Sequence, residues 1–412
     1  MKSRRQFLKA AGVLATTVGI PGMGNSQVIS PSKIDYSSVI NDDELFNLVR
    51  TQLLIPKSKI YLNTGSLGPS PLPVIETVSS TIRQLEADPV SENWGPLGQQ
   101  MEMVRSKLAD FIHATQEEVL LTRNTTEGLG LIAQSFNFKP KDEILTTTQE
   151  HDGALVGIEF AVKNKGVIVK KVNLPMPSQN KQQVIDLVES HITSKTKAIV
   201  LSHISTMTGM VMPFTEIAEI TKNKGILLVA DGAQAPGLIK VDVIKLGVDA
   251  YAASGHKWLL GPKETGFLYL NKRLQPEIQG LFNYSGFASY SASSGTRNVA
   301  TIIGLGAAID FLNEIGVDRI QNRCLQIRNY CFDELKKLQG LRINSPEDKS
   351  LSCGIVSFAL SKTSNKDVYA KLKEKDIIVK LLSSDNSIRI SCHMFVSKED
   401  IDKFIGALKL MI

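Results

Sequence analysis

The residue best suited to chemistry in this chain is Lys257, which lies within residues 249–270. This stretch contains an apolar run, the polar step S-G-H-K at residues 254–257, a Gly-Pro turn and a second apolar run. The pattern predicts two strands joined by a loop, with the lysine at the tip of the loop. Lysine forms Schiff bases with carbonyl compounds once burial lowers its pKa. Because a lone lysine is usually a solvated surface residue, its neighbours must support a chemical role.

Asp231 provides that support. Residues 226–230 are all apolar and predict a buried strand of a parallel sheet, with Asp231 at its carboxyl end. Ligands of open α/β sheets bind at this edge. A carboxylate there can keep a pyridine nitrogen protonated, so that the ring accepts electrons from a substrate carbanion, which is what pyridoxal phosphate chemistry requires. We therefore expect pyridoxal 5'-phosphate as cofactor, with Lys257 as the Schiff-base residue.

Two motifs, D-G-A-Q at residues 231–234 and S-G-H-K-W at residues 254–258, carry a family resemblance. Together they resemble the class V aminotransferase family of pyridoxal-phosphate enzymes, which includes cysteine desulfurases and isopenicillin N epimerase. The resemblance extends over most of the chain after about residue 60. It implies an α/β protein of fold type I, with a large domain built on a mostly parallel, seven-stranded-type sheet and a small α+β C-terminal domain. The alternation of strand and helix patterns over residues 119–253 also predicts a mostly parallel sheet with both faces covered.

The resemblance also assigns residues that bind the cofactor. It implies that His151 lies flat on the cofactor ring and that Gln234 bonds the ring hydroxyl. Thr296 would reach the phosphate of a neighbouring subunit, which implies a homodimer. The phosphate of the same subunit would be held by Thr125, Thr126, Ser254 and His256.

The threonine pair has two interpretations. Read alone, N-T-T-E at residues 124–127 fits simple helix capping. The same geometry leaves backbone N–H groups free at a helix N-terminus, which is an anion-binding site.

The resemblance implies that Arg389 and Asn63 bind the substrate. Arg389 lies in S-I-R-I-S and matches the family arginine that binds a substrate carboxylate, a task suited to the bidentate guanidinium. The alternative is an arginine on the surface of an edge strand. Asn63 lies in the turn-rich residues 61–71, which resemble the family segment that covers the active site. Residues 91–97 are expected to form a loop whose Trp94 either lines the substrate pocket or packs.

The reaction type depends on what the sequence lacks. Desulfurases of the family need a mobile cysteine shortly before the arginine, but residues 380–386 are short and contain none. Thr206 stands where desulfurases commonly carry asparagine, which puts the local hydrogen bonding in question. We expect an aminotransferase or epimerase acting on an amino acid or peptide-like small molecule. The alternatives are a lyase or desulfurase-like enzyme, and a catalytically silent binding protein of the same fold.

The cysteines do not indicate a metal site or a disulfide scaffold. Cys324 and Cys331 share a helical face but are too far apart to pair with each other. Cys353 and Cys392 have the potential to form a disulfide in an oxidising compartment, and the sequence leaves this open. No CxxC motif or Cys/His cluster is present, so we expect no metal.

The N-terminus resembles an export signal. Residues 1–24 contain four basic residues and no acid, and S-R-R-Q-F-L-K at residues 3–9 resembles a twin-arginine signal. We expect export to the periplasm by the twin-arginine translocase. The alternative is a disordered basic terminus with a chance arginine pair. The apolar run at residues 10–20 is too short to span a bilayer, so no stable membrane insertion is expected.

The rest of the chain carries little net charge and divides by pattern into three parts. Of the formal charge of +6, the signal supplies +4, and no basic block follows that would indicate nucleic-acid binding. After the signal at 1–24 we expect an N-terminal segment at 25–60. A large cofactor-binding domain at 61–300 and a small domain at 301–412 should follow. Residues 283–294 are rich in Tyr, Ser and Gly and are expected to form a loop.

Overall fold

The computed structural model describes residues 35–277 and 295–412 of the 412-residue chain. Tyr36–Ile412 form one compact unit. The expected signal at 1–24 and the expected loop at 283–294 lie outside the described residues. The domain boundary expected at residue 300 stays a prediction.

A seven-stranded sheet forms the centre of the molecule, with the strand order β2-β8-β7-β6-β5-β3-β4. Neighbours from β7 to β4 run parallel, whereas β8 runs antiparallel to both β2 and β7. This confirms the predicted α/β class with a mostly parallel sheet. The strands are β2 (Val119–Thr122), β3 (Glu143–Thr147), β4 (Ile168–Val172), β5 (Thr196–Ser202), β6 (Leu227–Asp231), β7 (Ala250–Ser254) and β8 (Gly266–Leu270).

Helices cover this sheet because successive strand residues are apolar on both faces. Val229 belongs to a core cluster with Leu129 and Ile158, while its neighbours Leu228 and Ala230 point to the opposite face and are also fully buried. The helices before residue 278 are α1 (Asp42–Thr51), α2 (Leu72–Ala87), α3 (Pro89–Trp94), α4 (Pro96–Phe111), α5 (Thr125–Ser135), α6 (Asp152–Lys165), α7 (Lys181–Ser190), α8 (Phe214–Lys224) and α9 (Val243–Leu246).

The C-terminal part combines helices with a four-stranded sheet of order β12-β13-β10-β9. Its strands are β9 (Leu341–Ile343), β10 (Ile355–Leu360), β12 (Lys380–Leu382) and β13 (Ser387–Ser391), and its helices are α10 (Val299–Ile315), α11 (Val317–Lys336), α12 (Asn365–Glu374) and α13 (Lys398–Lys409). A short strand near the N-terminus, β1 (Ile60–Tyr61), pairs in parallel with β11 (Ile377–Ile378). This pairing places residues 61–71 beside the C-terminal sheet.

Among the described residues, no single helix is long and apolar enough to cross a membrane. Only α10 and α11 taken together meet that test, and they bend by 77° where they join.

The prediction of a loop at residues 91–97 is wrong, because these residues are mostly helical. α3 begins at Pro89, and the side chain of Asp88 caps it by accepting a hydrogen bond from the Ser91 amide. Gly95 separates α3 from α4, which starts with Pro96. Trp94 ends α3 with 73% of its surface exposed, and it does not line the cleft described below.

Candidate active site

A cleft of about 690 Å³ opens where the carboxyl ends of β3, β6 and β7 meet the N-termini of α5 and α6. Parallel α/β sheets bind ligands at this edge. Most residues predicted to bind cofactor or substrate line this cleft: Thr125, Thr126, His151, Asp231, Ser254, His256, Lys257 and Arg389. Three predicted residues, Asn63, Gln234 and Thr296, lie outside its lining.

Lys257 and Asp231 enter the cleft from adjacent parallel strands, since Asp231 ends β6 and Lys257 follows β7. Burial lowers the pKa of Lys257 to about 8, although the nearby Asp231 carboxylate opposes this shift. Burial also raises the pKa of Asp231, against the effects of the Ala233 amide, which donates to it at 2.9 Å, and of Lys257. The site therefore contains an amine that loses its proton readily beside a carboxylate withdrawn from water.

The segment 61–71 passes directly over the backbone of the lysine loop. The amide of Gly68 donates to the carbonyl of His256 at 2.7 Å. A Cβ atom at position 68 would lie only 2.0 Å from the carbonyl oxygen of Lys257, so glycine is required by this close approach. The sequence prediction that this segment covers the site matches its position, although the role of its individual residues stays a prediction.

The N-terminus of α5 supplies donors that suit a phosphate. Asn124 caps the helix by accepting from the Glu127 amide at 2.9 Å, while Thr125 and Thr126 line the cleft. The Ser254 hydroxyl lies 2.8 Å from the Thr125 hydroxyl and accepts from the Thr125 amide at 3.0 Å. Capping and anion binding are thus compatible here, because different residues perform them.

The two cleft histidines are held in their uncharged form. Burial lowers the pKa of His256 to about 4, with further lowering by Lys257. Burial also lowers the pKa of His151, followed by the effect of Lys257. His151 caps α6, and its Nδ1 accepts from the Gly153 amide at 3.0 Å, which leaves the proton on Nε2.

Glu150 is a cleft residue that the sequence reasoning missed. Its carboxylate accepts hydrogen bonds from the Thr147 hydroxyl at 2.7 Å, the Ser202 amide at 2.9 Å and the Ser202 hydroxyl at 2.6 Å. Burial raises the pKa of Glu150 to about 7, and the Asp231 carboxylate adds to the rise. The sequence feature that indicated a site residue was its position directly before His151 and shortly after a buried strand.

Arg389 is a buried residue of an internal strand, which excludes the alternative of a surface residue on an edge strand. It lies on β13 between β12 and β10 with 2% of its surface exposed. One terminal nitrogen donates to the hydroxyl and carbonyl of Thr206, at 2.6 and 3.2 Å. The other donates to the hydroxyl of Ser66 at 3.1 Å and the side-chain oxygen of Asn63 at 3.4 Å. Burial lowers the pKa of Arg389 to about 10, so the group stays charged at neutral pH.

Gln234 lies behind the cleft, where its side-chain amide is occupied by other groups of the protein. Its nitrogen donates to the carbonyl of Gly65 at 2.9 Å and to the Thr206 hydroxyl at 3.3 Å. Its oxygen accepts from the Trp258 indole at 2.7 Å. The Thr206 hydroxyl therefore accepts hydrogen bonds from both Gln234 and Arg389 and links the two side chains.

Thr296 is exposed and does not line the cleft of its own chain. Its expected contact with a neighbouring subunit stays a prediction.

The pairing of Cys353 and Cys392, which the sequence left open, is not formed. All four thiols are free and buried, and Cys353 donates to the carbonyl of Gly209 at 3.1 Å.

Comparison with known proteins identifies the family. Residues 60–404 match the model of the class V aminotransferases. The chain therefore belongs to the class V aminotransferase family.

Individual relatives and solved structures agree with this assignment. A probable cysteine desulfurase of Halalkalibacterium halodurans is 31% identical over 85% of this chain and 92% of its own length. An isopenicillin N epimerase of Amycolatopsis lactamdurans is 27% identical over 87% of this chain and 97% of its own. The apo cysteine desulfurase of Thermococcus onnurineus superposes with a TM-score of 0.78 at 25% identity, covering 88% of this chain and 97% of that one. C-DES with glycine linked to its pyridoxal-phosphate cofactor superposes with a TM-score of 0.82 at 22% identity, covering 88% and 99%.

These findings make pyridoxal phosphate the cofactor, and the described residues fit it. The cleft combines an amine with a lowered pKa, a buried carboxylate and hydroxyl donors at a helix N-terminus. These are the three kinds of group that the aldehyde, the pyridine nitrogen and the phosphate of this cofactor require.

Proposed function

We propose that this protein is a pyridoxal-phosphate enzyme acting at the α-carbon of an amino acid or amino-acid-like group, of aminotransferase or epimerase type. The convergence of Lys257, Asp231 and Arg389 on one cleft that no cysteine lines carries this proposal. A base, a carboxylate for the ring nitrogen and a guanidinium for a substrate carboxylate are the groups that such chemistry needs.

Each residue has a role that follows from its surroundings. When bound, the cofactor supplies a pyridinium ring that stabilises negative charge at the carbon beside the substrate amine. Lys257 attaches the cofactor and then holds or returns the α-proton, for which a pKa of about 8 is well matched near neutral pH. Asp231 holds the ring nitrogen, and Arg389 orients the substrate through its carboxylate.

The second candidate is a lyase that breaks a carbon–sulfur bond. The names of the relatives favour it, since a probable cysteine desulfurase is among those reported above. The position of the thiols disfavours a desulfurase that accepts sulfur on its own cysteine, because Cys324, Cys331, Cys353 and Cys392 are all buried and none of them lines the cleft. An elimination that needs no enzyme thiol is compatible with the same cleft. The silent binding protein is disfavoured because the charged residues needed for chemistry are present together.

Product analysis separates these candidates. Purified holoenzyme is incubated with single amino acids and their amides, with and without a keto-acid acceptor. Chiral chromatography detects epimerisation, keto-acid formation detects transamination, and sulfide release from cysteine or cystine detects elimination. Borohydride reduction followed by peptide mass analysis should place the cofactor on Lys257. A cofactor found on another residue, or a protein without cofactor after reconstitution, would contradict the proposal.

Export to the periplasm by the twin-arginine translocase is also proposed. The arginine pair in S-R-R-Q-F-L-K supports it, since this route reads the pair itself. Replacing Arg4 and Arg5 by lysine keeps the charge and should retain the protein in the cytoplasm. Unchanged periplasmic levels in cell fractionation would leave only a general export signal.

We further propose a homodimer. In addition to the expected reach of Thr296, exposed apolar side chains on the consecutive helices α2, α3 and α4 support an interface: Ile82 (46% exposed), Val90 (65%), Trp94 (73%) and Met103 (57%). Soluble monomers rarely expose several large apolar side chains on neighbouring elements. Light scattering of wild type and Trp94→Glu tests this, and a wild-type monomer at micromolar concentration would refute it.

A further inference from the structure

Lys380 is a cationic residue that lines the cleft beside Arg389. It begins β12, and the antiparallel register pairs it directly with Arg389 on β13. Residues directly opposite in an antiparallel pair project to the same face, with Cβ atoms about 4.5–5.5 Å apart. Both side chains line the same cleft. Lys380 and Arg389 are therefore neighbours on one face of the sheet.

The two cations differ in how the protein uses them. Arg389 is buried and bonded to Thr206 and Ser66, so its position is set by the fold. Lys380 is exposed, and no ion pair with an acidic side chain is found for it within the described ranges. The chain then continues along the cleft with Ser383 and Ser384, which are also exposed. An exposed cation beside a buried one suits a ligand that carries a second negative charge further from its amine.

We propose that Lys380 binds a distal carboxylate and that the substrate is an acidic amino acid or an amino-acid group with a second carboxylate. The inference rests on the proposed function, because Arg389 must take the α-carboxylate. The neighbouring Lys380 then takes the carboxylate at the other end of the molecule. A lysine on β12, an edge strand, also has a purely structural use, since it discourages pairing with another chain. The experiment must separate these two uses.

Binding of unreactive analogues to the holoenzyme provides the test. Glutarate carries two carboxylates, whereas glutaramate has the same shape with one carboxylate replaced by an amide. We expect calorimetry to show glutarate binding about five-fold more tightly, near the upper limit for a solvent-exposed ion pair. The preference should shrink as salt is added. Lys380→Met should abolish it and Lys380→Glu should reverse it, while Lys371→Met, at an exposed position on α12, should leave it unchanged.

A kinetic comparison of glutamate with glutamine distinguishes failure of this inference from failure of the proposed function. If amino acids react but wild type and Lys380→Met bind glutarate and glutaramate with the same ratio, Lys380 only protects the sheet edge and the inference is overturned. If the glutarate preference depends on Lys380 but no amino acid reacts with the cofactor, the anion site stands and the proposed function fails. A loss of the kinetic preference for glutamate in Lys380→Met, with glutamine turnover retained, would support both.

Discussion

Arg389→Lys tests whether the buried guanidinium binds a free α-carboxylate. The substitution keeps the positive charge but replaces a planar fork by a single ammonium, which cannot form two parallel bonds to one carboxylate. In the protein the guanidinium is aimed by the Thr206 hydroxyl at 2.6 Å and the Ser66 hydroxyl at 3.1 Å. Losing one charge-assisted hydrogen bond to substrate costs about 1.5–3 kcal/mol. At about 1.4 kcal/mol per factor of ten, kcat/KM should fall about 10- to 150-fold.

The assay compares a reactive amino acid with its carboxamide on both proteins. Wild type should strongly prefer the acid, and Arg389→Lys should lose most of that preference because the amide never used the fork. The absorbance of the bound cofactor should not change, since Lys257 and the α5 N-terminus are untouched. Arg342→Lys, at an exposed position on β9 of the same sheet, is the matched control and should behave as wild type. Equal reactivity of acid and amide on wild type would refute the carboxylate role.

Three further predictions address other parts of the site. Lys257→Ala should abolish turnover but keep noncovalent cofactor binding, seen as a cofactor that gel filtration retains and denaturant releases; wild-type turnover in this variant would disprove the assignment. Thr206→Val removes the hydroxyl that accepts from Arg389 at 2.6 Å and from Gln234 at 3.3 Å. It should lower the free energy of unfolding by about 1–3 kcal/mol in urea titrations. Thr206→Ser keeps the hydroxyl and should retain most of the wild-type stability. The pKa of Glu150 is raised to about 7 in the folded state, from about 4.5 in the unfolded chain. Between these two pH values the folded state keeps a proton that the unfolded state has released. The stability gained from this proton is therefore present below about pH 4.5 and is lost as the pH rises to about 7. Glu150→Gln should therefore flatten the pH dependence of apoprotein melting between pH 5 and 8, and an unchanged slope would show that another group titrates there.

The parts of the fold that the sequence predicted well are those encoded by local pattern. The strand at residues 119–122 was predicted with the bounds it has, and β6 begins within one residue of its expected start. Apolar runs of four to six residues bounded by polar turns carry enough local information, because a strand buried on both faces must be apolar at every position. The placement of Asp231 and Lys257 at strand ends followed from the same runs.

At residues 91–97 the prediction from local sequence was wrong. The turn-forming residues Gly95 and Pro96 lie at the start of a helix and not in a loop. Proline at the first position of a helix and proline in a loop look alike in sequence. The difference depends on the Asp88 side chain reaching the Ser91 amide and on α3 packing against both α2 and α4.

The sequence alone indicated the family and its cofactor, because the motifs D-G-A-Q and S-G-H-K-W are short stretches that can be read without the fold. The same stretches placed Asp231 and Lys257 at the ends of predicted strands. Only the tertiary structure decided how the rest of the cleft is made. It turned Gln234 toward Gly65 and Trp258, placed the Glu150 carboxylate on Ser202 and paired Lys380 with Arg389. These contacts join residues that belong to different strands and loops, and strand register is set by burial and pairing over the whole sheet. Local sequence does not contain that information, so the position of Lys380 opposite Arg389 emerged only when the strands were aligned.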